Sequence, residues 1–222
     1  MGVYLYPNNT ETELKNAYIG EYTGLPNAYQ KVEYIENNWT CYINIWLQVK
    51  DWYKFVGKIL CTQSDQNNWW RITWAYIGYE SWVYYRLYFW GLYNNKWSYG
   101  YLGSHWNWTL WSGSLNTDYD VEFSWVSWNA FIKVDWTTLF NSSSTYSTTL
   151  SYECKLFASN DGPHPWLRVY SAKYYNNTDT LVRDLVPCYR KSDNVIWMYD
   201  LVNDQFYTNN WTWTFTKWPN VN

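Results

Sequence analysis

Short apolar and β-branched runs, broken by polar turn residues, recur along this chain. Val32-Glu33-Tyr34-Ile35 and Cys41-Tyr42-Ile43-Asn44-Ile45 are two of them, separated by residues 36–40. Residues 71–93 are dense in Tyr, Ile, Val and Phe, with Gly78 and Gly91 as expected breaks. Residues 120–140 predict three strands, in which Val121 and Phe123 alternate with Glu122 and Ser124, and Ile132 and Val134 with Lys133 and Asp135. Further strands are predicted over 152–158 and 167–175, separated by the loop SNDGPHP. The stretch 141–149, NSSSTYSTT, reads as a polar connection or solvated edge strand, and NNTD at 176–179 as the turn into Thr180-Leu181-Val182. The best helical candidate, 11–17 (ETELKNA), is short. Many short strands, several with one apolar and one polar face, predict an all-β fold: a two-sheet antiparallel sandwich rather than a barrel.

Composition narrows the function classes. A chain of 222 residues suits one large β domain as well as two small ones. Net charge is −3 and no dense Lys/Arg block occurs, so no nucleic-acid partner is expected. Charged residues are 16%, below the roughly 25% of ordinary domains; Asn, Thr, Ser and Tyr must carry solubility. The most apolar run, 82–93, is cut by Arg86 and falls short of the roughly 20 residues of a membrane span. The N-terminus lacks the basic and apolar regions of a signal peptide. Cys41, Cys61, Cys154 and Cys188 form no CxxC pair, which disfavours zinc. They allow three disulfide pairings, but buried thiols are expected. The sequons at Asn8, Asn38, Asn107, Asn141, Asn176 and Asn210 read as Asn/Thr-rich turns.

Tryptophan changes the picture. There are 20 Trp and only 10 Gly, where about 16 Gly would be ordinary for this length. Placement is more telling. Asp135-Trp136 stands between AFIKV and TTLF, where Asp-Gly is the strong hairpin signal. Asn38-Trp39, Asn68-Trp69 and Asn210-Trp211 stand where Asn-Gly would turn the chain, and Lys96-Trp97-Ser98 follows Asn94-Asn95 in another turn-like cluster. An L-residue with positive φ carries a steric cost that glycine avoids. The expectation is that many of these tryptophans are glycines in the living protein, written as Trp because a UGA codon is read differently in some bacteria and their phages. The alternative is a genuinely Trp-rich protein, whose indoles would fill the core. Aromatic clusters such as Trp106, Trp108 and Trp111 are therefore not counted as sugar platforms.

Two blocks carry a family resemblance: LPNAYQKVEYIENNWTCYINI (25–45) and LRVYSAKYYNNTDTLVRDLVPCYRKSDNVIWMYDLVNDQFYTNNWTWTFTKW (167–218). Together they resemble the start and end of a laminin-G-like, concanavalin A-like jelly-roll domain of phage structural and bacterial surface proteins. In that family Trp39, Trp211, Trp213 and Trp218 fall on glycines, as do Trp136 and Trp197. The resemblance implies a jelly-roll domain over 25–222, preceded by a short attachment element over 1–24; TELKNAYIGEY (12–22) resembles the leader of phage tail-associated proteins. It specifies fold far better than activity.

Candidate chemistry is sparse. Asp118, Asp120 and Glu122 sit at i, i+2 and i+4, hence on one strand face about 6–7 Å apart, a spacing that suits paired carboxylate catalysis. Laminarinase-type enzymes on the same fold use alternating acids, but their motif begins and ends with Glu, and an ordinary solvated strand start also accounts for these residues. Asn160, Asp161 and His164, in a predicted rim loop, are the candidate ligand-binding residues. The resemblance admits Ca²⁺ there, though two oxygen side chains fall short of six to eight, and an Asx turn explains Asn160-Asp161-Gly162. No other cofactor is expected. His105 and His164 read as surface residues, and Asp184, Arg190 and Asp193 as mutual ion pairs or turn caps.

The function expected is a non-catalytic recognition or adhesion module on a virion or cell surface, not an enzyme. Its partner would be a cell-surface glycan, bound by the loops at 63–70, 101–114 and 159–165 or by one sheet face, with avidity from multiple copies. Alternatives are a decoration domain that contacts virion or envelope proteins and, further off, a glycoside hydrolase.

Overall fold

The structure, a computed structural model, describes residues 24–37, 41–48, 53–62, 79–80, 83–84, 88–93, 96–100, 111–124, 130–142, 153–159, 162–163, 167–208 and 215–221. These residues form strands and turns, without a helix. The strands are β1 (Tyr29–Lys31), β2 (Ile35–Glu36), β3 (Ile43–Gln48), β4 (Lys54–Cys61), β5 (Tyr79–Glu80), β6 (Val83–Tyr84), β7 (Tyr88–Tyr93), β8 (Lys96–Gly100), β9 (Trp111–Ser112) and β10 (Asp118–Ser124). They continue with β11 (Ala130–Val134), β12 (Thr137–Ser142), β13 (Glu153–Leu156), β14 (Ala158–Ser159), β15 (Gly162–Pro163), β16 (Leu167–Tyr175), β17 (Leu181–Arg190), β18 (Ile196–Asp200), β19 (Gln205–Tyr207) and β20 (Thr216–Lys217).

An 11-stranded antiparallel sheet dominates, in the order β12-β11-β10-β4-β16-β17-β18-β19, with β1 on β17 and β2 between β16 and β20. Period-2 patterning fixes its two faces. On β10, Tyr119, Val121 and Phe123 are buried while Asp118 and Asp120 are exposed. On β4, Phe55 and Ile59 point to the same inner side. Phe55 anchors this layer, with its ring centroid 5.1 Å from Phe123 and 5.2 Å from Tyr174. A second layer, the β3–β13 pair, supplies Ile43, Ile45, Leu47, Cys154 and Leu156 to the same core cluster. The described architecture is thus all-β and antiparallel, with the character of a β-sandwich.

Two irregularities set the register. Between Val169 and Ser171 the β16–β4 ladder shifts by one residue, so Val169 and Ala172 both face inward. Gly57 lies opposite Ala172, and a Cβ there would meet the Ser171 carbonyl oxygen at 2.7 Å and the Phe55 ring at 2.5 Å. Glycine lets the two backbones approach at this bulge. In the second layer, Lys155 pairs with Asn44 and Glu153 with Gln48, so Ile45, Trp46 and Leu47 together stand opposite Cys154. Trp46 is the bulged residue, with φ 51°, and its N–H donates to Asn44 Oδ1 at 2.9 Å.

The turns follow their chemistry. Val134 pairs with Thr137, leaving a two-residue hairpin loop in which Asp135 (φ 46°) and Trp136 (φ 65°) both have positive φ, as a type I′ turn requires. Asn176 Oδ1 accepts from the N–H groups of Thr178 and Thr180, at 3.0 Å each, so the NNTD turn is an Asx turn. Asp200, fully buried, accepts from the N–H groups of Asp184 and Val202 at 3.0 Å and from Asn203 Nδ2 at 2.7 Å, with Arg183 Nε 3.4 Å away. It clamps the β18–β19 turn to β17.

The expected strands at 120–140 and 167–175 lie where the pattern put them, and the one expected at 180–182 runs on from Leu181 to Arg190. Three expectations change. Val32 to Ile35 is not one strand, because β1 and β2 pair with different neighbours. Lys96-Trp97-Ser98 is not a turn but the start of β8. Gly91 does not end a strand; it sits inside β7, at a shift in the β7–β8 register between Trp90 and Leu92. All four cysteines are buried thiols, and burial pushes Cys188 up to about 12. The helical candidate at 11–17, the loop at 63–70 and Trp39, Trp211 and Trp213 lie outside the described residues.

Candidate functional site

The outward face of the large sheet carries the densest chemistry among the described residues. Because side chains alternate, Asp118, Asp120 and Glu122 of β10 share that face, as their spacing implied. Neighbouring strands bring cations to them. Lys133 Nζ of β11 lies 3.3 Å from Glu122 Oε2, and Lys58 of β4 pairs with Asp118. Asp120 stands opposite Lys58 in the ladder, yet its carboxylate makes no ion pair among the described residues. Its N–H donates to Asp135 Oδ1 at 3.0 Å, and its carbonyl accepts from Asp135 N–H at 2.9 Å, which ties the hairpin turn to β10.

Over this ladder lies a cavity of about 260 Å³, lined by Val56, Asp120, Val121, Glu122, Lys133 and Trp136. It is smaller than the roughly 300–1,000 Å³ of drug-sized pockets. Towards β16 the face continues with aromatic rings. Lys58 Nζ is 5.5 Å from the Tyr170 ring centroid, and Tyr170 is 5.0 Å from Tyr34. The Arg168 guanidinium lies 4.7 Å from the Tyr34 ring, and its Nε bonds Glu36 Oε2 at 2.7 Å. Trp218 stacks on Tyr34 at 5.8 Å. The face therefore presents carboxylates, cations and flat rings in alternation.

The charges have definite consequences. The hydrogen bond from Lys58 holds the Asp118 carboxyl below its ordinary value, and the same bond raises Lys58. Burial pushes Tyr34 up to about 12, so it remains a neutral phenol across physiological pH.

No protein-family model, curated protein or solved structure matches the chain. The site is therefore read from its own geometry.

The candidate ligand residues Asn160, Asp161 and His164 lie outside the described residues, as does His105. The neighbouring Ser159 and Gly162 pair in a small β14–β15 ladder. Among the described residues no cluster of His, Cys, Asp or Glu could hold a metal ion. Arg190 pairs with Asp193 as expected, Nη2 to Oδ2 at 2.5 Å, whereas Asp184 pairs with Lys173 at 3.0 Å. Sequence reasoning did not single out Lys58, Lys133, Arg168 or Tyr170. A signal existed in the period-2 alternation of KFVGKIL and LRVY, but which strands would be neighbours was not legible.

Proposed function

We propose that this protein is a non-catalytic recognition or adhesion module built on a concanavalin A-like jelly-roll sandwich. It takes carbohydrate on the open face of its large sheet, in a phage tail-associated or bacterial surface protein. The observation that carries this reading is the Asp120 carboxylate, which makes no ion pair among the described residues, in a small cavity beside the Glu122–Lys133 pair. A sugar ring offers hydroxyl donors to a carboxylate and acceptors to a lysine. Asp120, Glu122 and Lys133 are not tryptophans, so the polar contacts do not depend on the identity of those positions, although the cavity wall at Trp136 does.

The same electrostatics favour binding over hydrolysis. A glycosidase acid needs a raised pKa. Lys58 moves Asp118 the other way.

A glycan array probed with multivalently displayed protein tests the proposal. A glycan hit that Asp120→Ala weakens roughly tenfold or more supports it, since a hydrogen bond to a charged group contributes about 1.5–3 kcal/mol. A blank array with strong capture of virion or envelope proteins would assign a decoration role instead. Release of reducing ends, lost in Asp118→Ala or Glu122→Ala, would make the protein a hydrolase.

A further inference from the structure

Three bulky residues of the described chain have left-handed backbone: Trp46 (φ 51°), Trp136 (φ 65°) and Phe157 (φ 66°). The other non-glycine residues with positive φ are Asn116, Asp135, Asp179, Asn194 and Asp204, types that tolerate that region. For a bulky L-residue the conformation costs roughly 1–2 kcal/mol. Something must offset it.

For Phe157 the offset is visible. Its side chain is fully buried, and its ring packs 5.0 Å from Phe215. The two tryptophans have no such compensation, being 58% and 83% exposed at positions 46 and 136. Both stand where backbone geometry calls for glycine by independent rules. Position 136 is the second residue of a two-residue type I′ hairpin after Asp135, the Asp-Gly position. Position 46 is the αL residue of a β-bulge, where glycine relieves the strain. Of the other two tryptophans whose burial is described, Trp218 is exposed and Trp197 is partly buried against the core.

We infer that the natural protein carries glycine at positions 46 and 136, each encoded by a UGA codon that its translation system reads as glycine. This sharpens the turn-chemistry expectation into two named positions. It also redraws the site. With glycine at 136 the cavity loses its indole wall and opens onto the sheet face, leaving Asp120, Glu122 and Lys133 as its polar groups.

The test is peptide mass spectrometry of protein isolated from its natural source, read beside the coding DNA. Glycine in the peptides spanning positions 46 and 136, with UGA in the gene, is the expected result. Tryptophan in either peptide, or a UGG codon at either position, overturns the inference there.

Discussion

Gly57→Ala should destabilise the protein, and the geometry at the β4–β16 bulge sets the size of the effect. The new Cβ would come within 2.7 Å of the Ser171 carbonyl oxygen and within 2.5 and 2.8 Å of two Phe55 ring atoms. The carbonyl belongs to the bulged backbone beside Ala172, so it cannot yield by a rotamer change. Phe55 is held between Phe123 and Tyr174. Overpacking of this kind costs about 1–3 kcal/mol. Replacing glycine in a strand interior returns about 0.5–1 kcal/mol; with the rigid carbonyl placing the cost at about 2–3 kcal/mol, a net loss of about 1–2.5 kcal/mol remains. At this chain length that lowers Tm by about 2–10 °C. Equilibrium unfolding in urea should show a lower midpoint with an unchanged m-value. A variant that melts at or above the parent would refute the close approach of β4 and β16, and with it the register assigned to the centre of the sheet.

Trp136→Gly should stabilise the printed sequence by about 1 kcal/mol, because it relieves a left-handed tryptophan whose ring is largely solvent-exposed; a lower urea midpoint would contradict this. Asp200→Asn should cost about 3–5 kcal/mol, because it strips the counter-charge from Arg183 in a buried site; the same urea titration measures it, and a change below about 1 kcal/mol would count against the clamp. The Lys58–Asp118 pair depresses Asp118 below 3.8 in the folded state, so its contribution is present above that pH and is lost as pH falls through the lowered value. Both side chains are more than a third exposed, which limits the effect to under about 1 kcal/mol; Lys58→Met should flatten the acid limb of stability against pH by that amount. Cys188 should resist alkylation at pH 8 until the chain unfolds. From pH 9 upwards the unfolded thiol ionises while the buried one does not, so stability should fall with rising pH through this group.

How far the sequence foretold this molecule can be judged residue by residue. The alternation in VEFS and IKV gave the faces of β10 and β11, because one buried face dictates the period. Asp135-Trp136 marked its hairpin even with tryptophan in the glycine place, since the Asp and the flanking strands carry the signal. The carboxylates of the site were legible as an i, i+2, i+4 set. Their partners were not: Lys58 lies about sixty residues upstream, and only strand order brings it beside Asp118. The β16 bulge was also hidden, because nothing in RVYSAK shows where an extra residue enters a ladder.

The pairing of β4 with β16 reaches across the chain, joining Cys61 to Leu167 and Lys54 to Tyr175. A ribosome making this protein must therefore add about a hundred further residues before the middle of the sheet can zip, and such distant closures slow folding. Until then β4 has a bare hydrogen-bonding edge and exposed apolar side chains, an invitation to pair with another nascent chain. Shortening the polypeptide before residue 175 should yield aggregates rather than a smaller native domain.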